Sequence, residues 1–559
     1  MSHAARVEPA TTLEGHGGGL AVAVARQHGI EEMFTLSGGH VFPLYDGAVK
    51  ADPPMRLVDV RHEQTAVFAA EATAKLTRRP GLAVLTAGPG VTNGISAVTT
   101  AHFNGSPVLV LGGRAPAGRW GTGALQELDH PPLLAPVTKH AGTVREVAAL
   151  AAEVDRALTL AATPHRGPVF LDVPMDQLFS VASVPAPPPP VRQPAAPDPD
   201  ALAGVAALLA EAERPVLVLG SDIWADRAEE AARRAAGTLR LPVIANGMGR
   251  GVVPPDDGLV VTRARSLAFG QADLVLVAGA PLDFRLGYGS FGGREGAPPA
   301  KVVHLADAPG QLAGHVELAG AAAGDLTVVL DGLVEAVTGR PSLPDYGAWL
   351  ERLRGAAAEA AARDQQLLAS EADPIHPARV YGELRRLLAA DAVVIGDGGD
   401  FVSFAGRYVE PAKPGGWLDP GPYGCLGTGL GYAIAARLAR PSAQVVLLLG
   451  DGAAGFSLMD VDTLVRHRLP VVMVVGNNGI WGLEKHPMQL LFGYNVAADL
   501  QPACRYDEVV RALGGAGELV TSPDGISPAL RRGLDAGVPY LVNVATDPEV
   551  AYPRATTGI

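Results

Sequence analysis

Residues 450–478 read GDGAAGFSLMDVDTLVRHRLPVVMVVGNN, and the fold is decided here. One apolar run, 445–449, leads into Gly450-Asp451-Gly452, and a second, 470–475, leads to Asn477-Asn478. With an amphipathic helix between them, the stretch is a strand, turn, helix, strand unit of a parallel α/β sheet. Ligands of such sheets bind outside the carboxyl ends of the strands. The carboxylate of Asp451 and the carboxamide of Asn478 are therefore expected together at the ends of neighbouring strands. Mg²⁺ takes few oxygens from protein and the rest from phosphate and water, so the pair suits a metal diphosphate. Taken singly, each is equally a turn or loop residue of any α/β domain.

Outward from this unit the same alternation recurs. Strands are expected over 33–36, 57–60, 82–86 and 108–111, followed respectively by Ser37-Gly38-Gly39-His40, by Arg61-His62-Glu63-Gln64, by Gly88-Pro89-Gly90 and by a further connection. Gly38 and Gly39 would let backbone approach a ligand closely. Repeated β-α-β with short connections makes residues 1–183 a doubly wound parallel sheet. The proline-dense stretch 184–200 cannot supply ladder donors and reads as a linker. A second α/β domain over 201–337 has strands at 216–219, 243–244, 274–277 and 302–305. Gly220-Ser221-Asp222 is not the GxGxxG dinucleotide pattern. Arg263, Arg265, Asp283, Arg285 and Asp307 near its strand ends fit either nucleotide contacts or surface charges. A connection over 338–374 carries a charged, alanine-rich helix at 347–368, and residues 375–559 form the third domain. The fold class is α/β, with three doubly wound parallel sheets.

Composition agrees with a large enzyme. Of 559 residues, 48% are hydrophobic, and the formal charge of −13 argues against nucleic acid and anionic membrane as partners. Cys425 and Cys504 lack metal-ligand spacing, and no run approaches a membrane span. A cytoplasmic location is expected.

The spacing of Gly450-Asp451-Gly452 and Asn477-Asn478 resembles the diphosphate-binding signature of thiamine-diphosphate (ThDP) enzymes. Three further elements resemble acetolactate synthases: Arg61-His62-Glu63-Gln64 with Ala69-Ala70-Glu71, Thr86-Ala87-Gly88-Pro89-Gly90-Val91-Thr92-Asn93, and Leu125-Gln126-Glu127-Leu128-Asp129. The resemblance, to the acetolactate synthase and 2-hydroxyacyl-CoA lyase branch, covers nearly the whole chain. It implies that the first domain binds the pyrimidine of ThDP and the last its diphosphate. Glu63 would be the carboxylate on the pyrimidine nitrogen, in an apolar pocket that favours sharing a proton. The metal, Mg²⁺, would be held by Asp451, Asn478 and the carbonyl of Ile480. Gly39, Asp400, Phe401, Gly424, Gly452 and Ala453 would approach the cofactor, Leu426 would wedge it into a bent form, and Leu483 would line its substrate side. Gln126 and His40 would contact substrate, and Glu484 would transfer a proton. In the central domain Arg263, Asp283, Arg285 and Asp307 would hold FAD, or ADP as in the CoA-linked relatives. Active sites shared between subunits imply a homodimer or homotetramer.

Departures bear on the substrate. Glu484 stands where acetolactate synthases usually have an apolar residue, and Pro487 where many have a tryptophan. Some bacterial 2-hydroxyacyl-CoA lyases share the glutamate, but no basic cluster near the chain end clearly suits a CoA phosphate, Arg531, Arg532 and Arg554 being the only candidates there. The tail 551–559 reads as a cover over the site or as a frayed end. The expected activity is decarboxylation of a 2-oxo acid such as pyruvate and addition of the remainder to a second carbonyl. The alternatives are cleavage of a 2-hydroxyacyl-CoA, an oxalyl-CoA decarboxylase-like reaction, or a catalytically silent nucleotide-binding protein.

Overall fold

Runs of valine, leucine and alanine bounded by glycine form the strands of three parallel sheets in the computed structural model, which describes residues 12–340 and 345–553. Of the tail, residues 554–559, Arg554 among them, lie outside the described residues, while Tyr552 packs edge-on against Phe404. Residues up to Arg192 form one compact unit and those from Gln193 onward a second, which contains two of the sheets.

The first sheet has the order Arg56–Asp59, Glu32–Thr35, Gly81–Leu85, Val108–Arg114, Val169–Pro174, His140–Thr143, all parallel. Its central strands are buried on both faces, as helices on either side require. The helix Glu63–Thr77 is alanine-rich, starts at the His62 cap and stops where Arg78 turns left-handed at φ 58°. It lies so close to the sheet that a Cβ on Gly81 would sit 2.0 Å from the Ala70 carbonyl oxygen. An antiparallel pair, Thr12–His16 with Val181–Pro185, was not foreseen, and it takes in Val184 and Pro185 from the start of the proline-dense stretch.

The central sheet runs Val243–Ala245, Pro215–Leu219, Leu274–Ala278, Lys301–Ala306, Gly320–Ala323. Its last strand, Gly-Ala-Ala-Ala, lacks the β-branched residues that announce a strand, and pairing with 303–306 defines it. The third sheet runs Trp417–Leu418, Val393–Asp397, Val445–Gly450, Val472–Asn477, Tyr540–Ala545, Ala516–Val520. With six strands numbered in chain order within each, the first and third sheets share the order 2-1-3-4-6-5.

Two expectations need adjustment. The helix after Gly450 is broken into Asp451–Ser457, a 3₁₀ turn Leu458–Asp460, and Val461–Arg466. Ser457 leaves helical geometry, and the helix resumes at Val461 behind buried Asp460, which accepts from the Thr463 hydroxyl at 3.0 Å. The helix Gly347–Leu368 has the expected bounds but is a packed strut. Trp349, Leu350 and Leu353 enter the core of the central domain, and buried Asp364 pairs with Arg263 on that side and with Arg407 of the last domain. No helix among the described residues is long and apolar enough to cross a membrane.

Candidate active site

In the third sheet the strand order reverses beside Val393–Asp397, and the crevice there opens between Gly398-Gly399 and Gly450-Asp451-Gly452. Asp451 is the first residue of its helix. One oxygen accepts from the Gly452 N–H at 3.0 Å and the other from the Gly479 N–H at 2.6 Å. Burial pushes its carboxyl up to about 6, against the pull of those two N–H groups, and Asp400 nearby adds to the rise. Asn478 accepts from the Ile480 N–H with Oδ1 (3.2 Å) and donates with Nδ2 to Asp400 Oδ2 (3.4 Å). Asp400 is raised by burial too, with the nearby His486 opposing. The raised carboxylate of Asp451 and the oriented carboxamide oxygen of Asn478, with the second raised carboxylate, Asp400, behind the amide, form a site that a divalent cation would relieve.

Close packing shapes the rest of this crevice. A Cβ on Gly452 would meet the Trp481 ring at 2.5 Å, one on Gly482 would meet Asp400 at 2.5 Å, and one on Gly398 would meet Leu426 Cδ2 at 2.0 Å. Leu426 and Ala453 thus both face the Gly398 turn. Phe401 instead goes into the core, its ring over Gly476 and its carbonyl accepting from Tyr381. Gly424 stands at the open side with φ 68°.

Sequence reasoning missed Asp397. It is wholly buried, accepts from the Gly427 and Gly429 N–H groups and the Thr428 hydroxyl, and so fixes the turn that carries Leu426. Burial pushes it up to about 6 despite those donors. Its place at a strand end before two glycines was the available signal.

Beyond Asn478, Ile480 is buried, Leu483 half-buried, and Glu484 exposed on the first turn of the helix Gly482–Phe492. Pro487 inside that helix has no N–H for the Leu483 carbonyl one turn back.

The first sheet reverses between Glu32–Thr35 and Gly81–Leu85. Gly38 faces Thr86 so closely that a Cβ would lie 2.2 Å from it, and the 3₁₀ turn Gly39–Val41 follows. His40 is buried, its Nδ1 3.2 Å from the Thr86 hydroxyl, and burial lowers its pKa. Glu63 opens its helix 8% exposed, with Oε2 accepting from Asn93 Nδ2 at 3.0 Å and Oε1 facing Gly90. Gln126 adopts the left-handed φ of 59° and packs on Gly88, in a loop pinned by Glu127 accepting from the Gly121 and Ala124 N–H groups. Glu63, His40 and Gln126 therefore belong to elements that converge on the Thr86–Gly90 turn.

In the central sheet the reversal lies between Gly220 and Gly279, where a Cβ on Gly220 would be 2.2 Å from the Gly279 oxygen. Asp283 grips its own Arg285 through both oxygens, and buried Asp307 follows the strand Lys301–Ala306. Arg263 is not brought to them: it pairs with Asp364 and lines a groove of about 280 Å³ against the strut helix. Arg265 takes that place. It donates to the Arg285 carbonyl, and burial, then Arg250 and Arg285, pull it down to about 10. Guanidiniums gathered this way suit an anionic ligand.

Family models reach the same three domains. Residues 16–133 match the thiamine pyrophosphate enzyme N-terminal TPP binding domain, 202–333 its central domain and 397–544 its C-terminal TPP binding domain. Over 552 residues the chain is 51% identical to the acetolactate synthase large subunit IlvG of Mycobacterium tuberculosis, with 98% of each chain covered. The chain belongs to the thiamine pyrophosphate enzyme family. It is also 34% identical over 552 residues to 2-hydroxyacyl-CoA lyase 2 of Homo sapiens, covering 90% of this chain and 85% of that one. As a family member the protein is a ThDP-dependent enzyme.

Proposed function

We propose that this enzyme is a carboligase that decarboxylates a 2-oxo acid of the pyruvate kind and joins what remains to a second carbonyl. The observation that carries the reading is the pairing of chemistries at two switch points: a buried carboxylate with an amide donor in the first sheet, and a buried acid beside an oriented amide in the last. The relative at 51% identity, named as an acetolactate synthase subunit, supports it. ThDP, when bound, would supply a nucleophilic thiazolium carbon and an electron sink for decarboxylation. Glu63 holds a proton at the pyrimidine nitrogen. Asp451, Asn478 and the Ile480 carbonyl hold Mg²⁺, while Gly39, Asp400, Gly424, Gly452 and Ala453 border the cofactor. Phe401 backs the crevice from the core, and Leu426 and Leu483 shape the apolar side. His40, neutral over a wider pH range because burial lowers its pKa, and Gln126 contact the substrate, and Glu484 moves a proton near the reacting carbon.

The central domain binds FAD or ADP through Arg265, Asp283, Arg285 and Asp307, with Arg263 fixing the strut beside it. The enzyme works in the cytoplasm as a homodimer or homotetramer with active sites completed between subunits. Cleavage of 2-hydroxyacyl-CoA is the second reading, favoured by Glu484 on the open face of its helix and by the relative named 2-hydroxyacyl-CoA lyase 2. A panel of 2-oxo acids and 2-hydroxyacyl-CoAs, incubated with ThDP and Mg²⁺ and analysed by mass, separates the two. Carbon–carbon products from 2-oxo acids are expected. Turnover confined to the CoA thioesters would replace the first reading with the second.

A further inference from the structure

Behind the turn that faces Glu63 lies a buried cluster that the proposed chemistry does not use. His130 and Asp172 are 0% exposed. His130 Nε2 lies 2.9 Å from the Gly88 nitrogen and Nδ1 lies 2.9 Å from Asp172 Oδ2. A backbone N–H can only donate, so Nε2 must offer its lone pair and Nδ1 must carry the proton. The ring is thereby fixed in one tautomer and one orientation, since the other tautomer would oppose N–H to N–H at Gly88 and a flipped ring would set C–H groups against both partners. Asp172 is fixed in turn: the same oxygen accepts from Arg114 Nη1 at 2.8 Å, while Arg114 Nη2 reaches Asp129 at 3.0 Å and the guanidinium lies over Trp120.

What this cluster grips is the start of the helix Pro89–Phe103. Gly88 has φ 59° and ψ −114°, a conformation outside the range of ordinary residues. Its N–H bond to His130 pins that turn, and Gln126 packs on it. Asn93, in the same helix, donates to Glu63. A rotation of the turn would swing the Asn93 amide away from the carboxylate.

We propose that His130, oriented by Asp172, is a positioning residue that holds the Gly88–Gly90 turn and, through Asn93, sets the Glu63 carboxylate for its work on the cofactor. The inference rests on the reading of Glu63 as the group that activates the cofactor.

The test follows exchange of the thiazolium C–H of bound ThDP in D₂O for wild type, Glu63→Gln, His130→Leu and His130→Gln, with cofactor affinity measured by tryptophan fluorescence. Glutamine can accept from Gly88 and donate to Asp172; leucine can do neither. Expected are exchange slowed roughly ten- to a hundredfold in His130→Leu with affinity changed by less than about threefold, and recovery in His130→Gln. In cofactor-free wild type, imidazole ¹⁵N shifts should show His130 protonated at Nδ1, the signal being assigned by its loss in His130→Gln. Wild-type exchange in His130→Leu, equal slowing in both His130 variants, or the opposite tautomer overturns the proposal. Exchange slowed in Glu63→Gln but not in His130→Leu sinks the role of His130 alone; wild-type exchange in Glu63→Gln sinks both readings. If the leucine variant does not fold, His130→Asn, too short to span both contacts, takes its place with the same outcomes.

Discussion

The first and third sheets have the same strand order, 2-1-3-4-6-5, and each puts a carboxylate at its reversal, yet they treat that carboxylate in opposite ways. Asp451 has both oxygens engaged by backbone N–H groups and a second acid, Asp400, close by. Glu63 has one oxygen engaged by a side-chain amide and the other turned toward Gly90. Backbone donors fix a ligand set rigidly, and clustered acids call for a cation. A single side-chain donor leaves a carboxylate able to share a proton. Under the proposed function, one scaffold would serve metal binding or proton handling according to which donors meet the acid at the strand end.

Exchanging charge for neutrality at each reversal is the strongest way to break this contrast. Glu63→Gln is expected to cut turnover about 10²- to 10⁴-fold, the range for loss of an acid–base group, while Mg²⁺-dependent ThDP binding persists. Asp451→Asn is expected to abolish that binding. Equal effects of the two variants on cofactor affinity, measured by titration, would erase the distinction.

Asp397 sharpens it next. The folded protein holds its proton more tightly than the unfolded chain does, because burial raises it from 3.8 to about 6. Its contribution to stability is therefore complete below about pH 4 and is lost as the pH rises through about 6, a change of about 3 kcal/mol. Asp397→Asn removes this dependence. The melting temperature of wild type relative to the variant should fall between pH 4 and pH 7, and parallel curves would refute it.

The smallest effect belongs to Asp400→Asn. Asp400, which is not among the proposed metal ligands, orients the Asn478 amide, and losing such a partner typically weakens metal binding about ten- to a hundredfold. Calorimetric Mg²⁺ titration in the presence of ThDP reads it directly.

Much of this contrast was legible in the chain, because a strand end followed by glycine and acid is a local pattern. Glu63, Asp451 and Asn478 fall at strand or helix ends where the sequence placed them. What escaped depends on distant partners. His130 acquires its meaning from Gly88 and Asp172, each 42 residues away. Asp397 acquires its own from a turn some 30 residues on. Arg263 and Arg265 look interchangeable in the sequence, yet a strut helix claims the first and the strand-end cluster the second. The strand Gly320–Ala323 is defined by its neighbour alone.

Pro487 has a consequence for descent. The residues assigned to the metal and diphosphate sit mainly on strand ends and their turns, whereas Leu483 and Glu484 ride on a helix interrupted by a proline and bordered by exposed Leu490, Leu491 and Phe492. Inheritance can therefore act on the two separately. If Leu483 and Glu484 have the roles proposed for them, a change of acceptor calls for edits to that single turn and leaves the strand ends as they are.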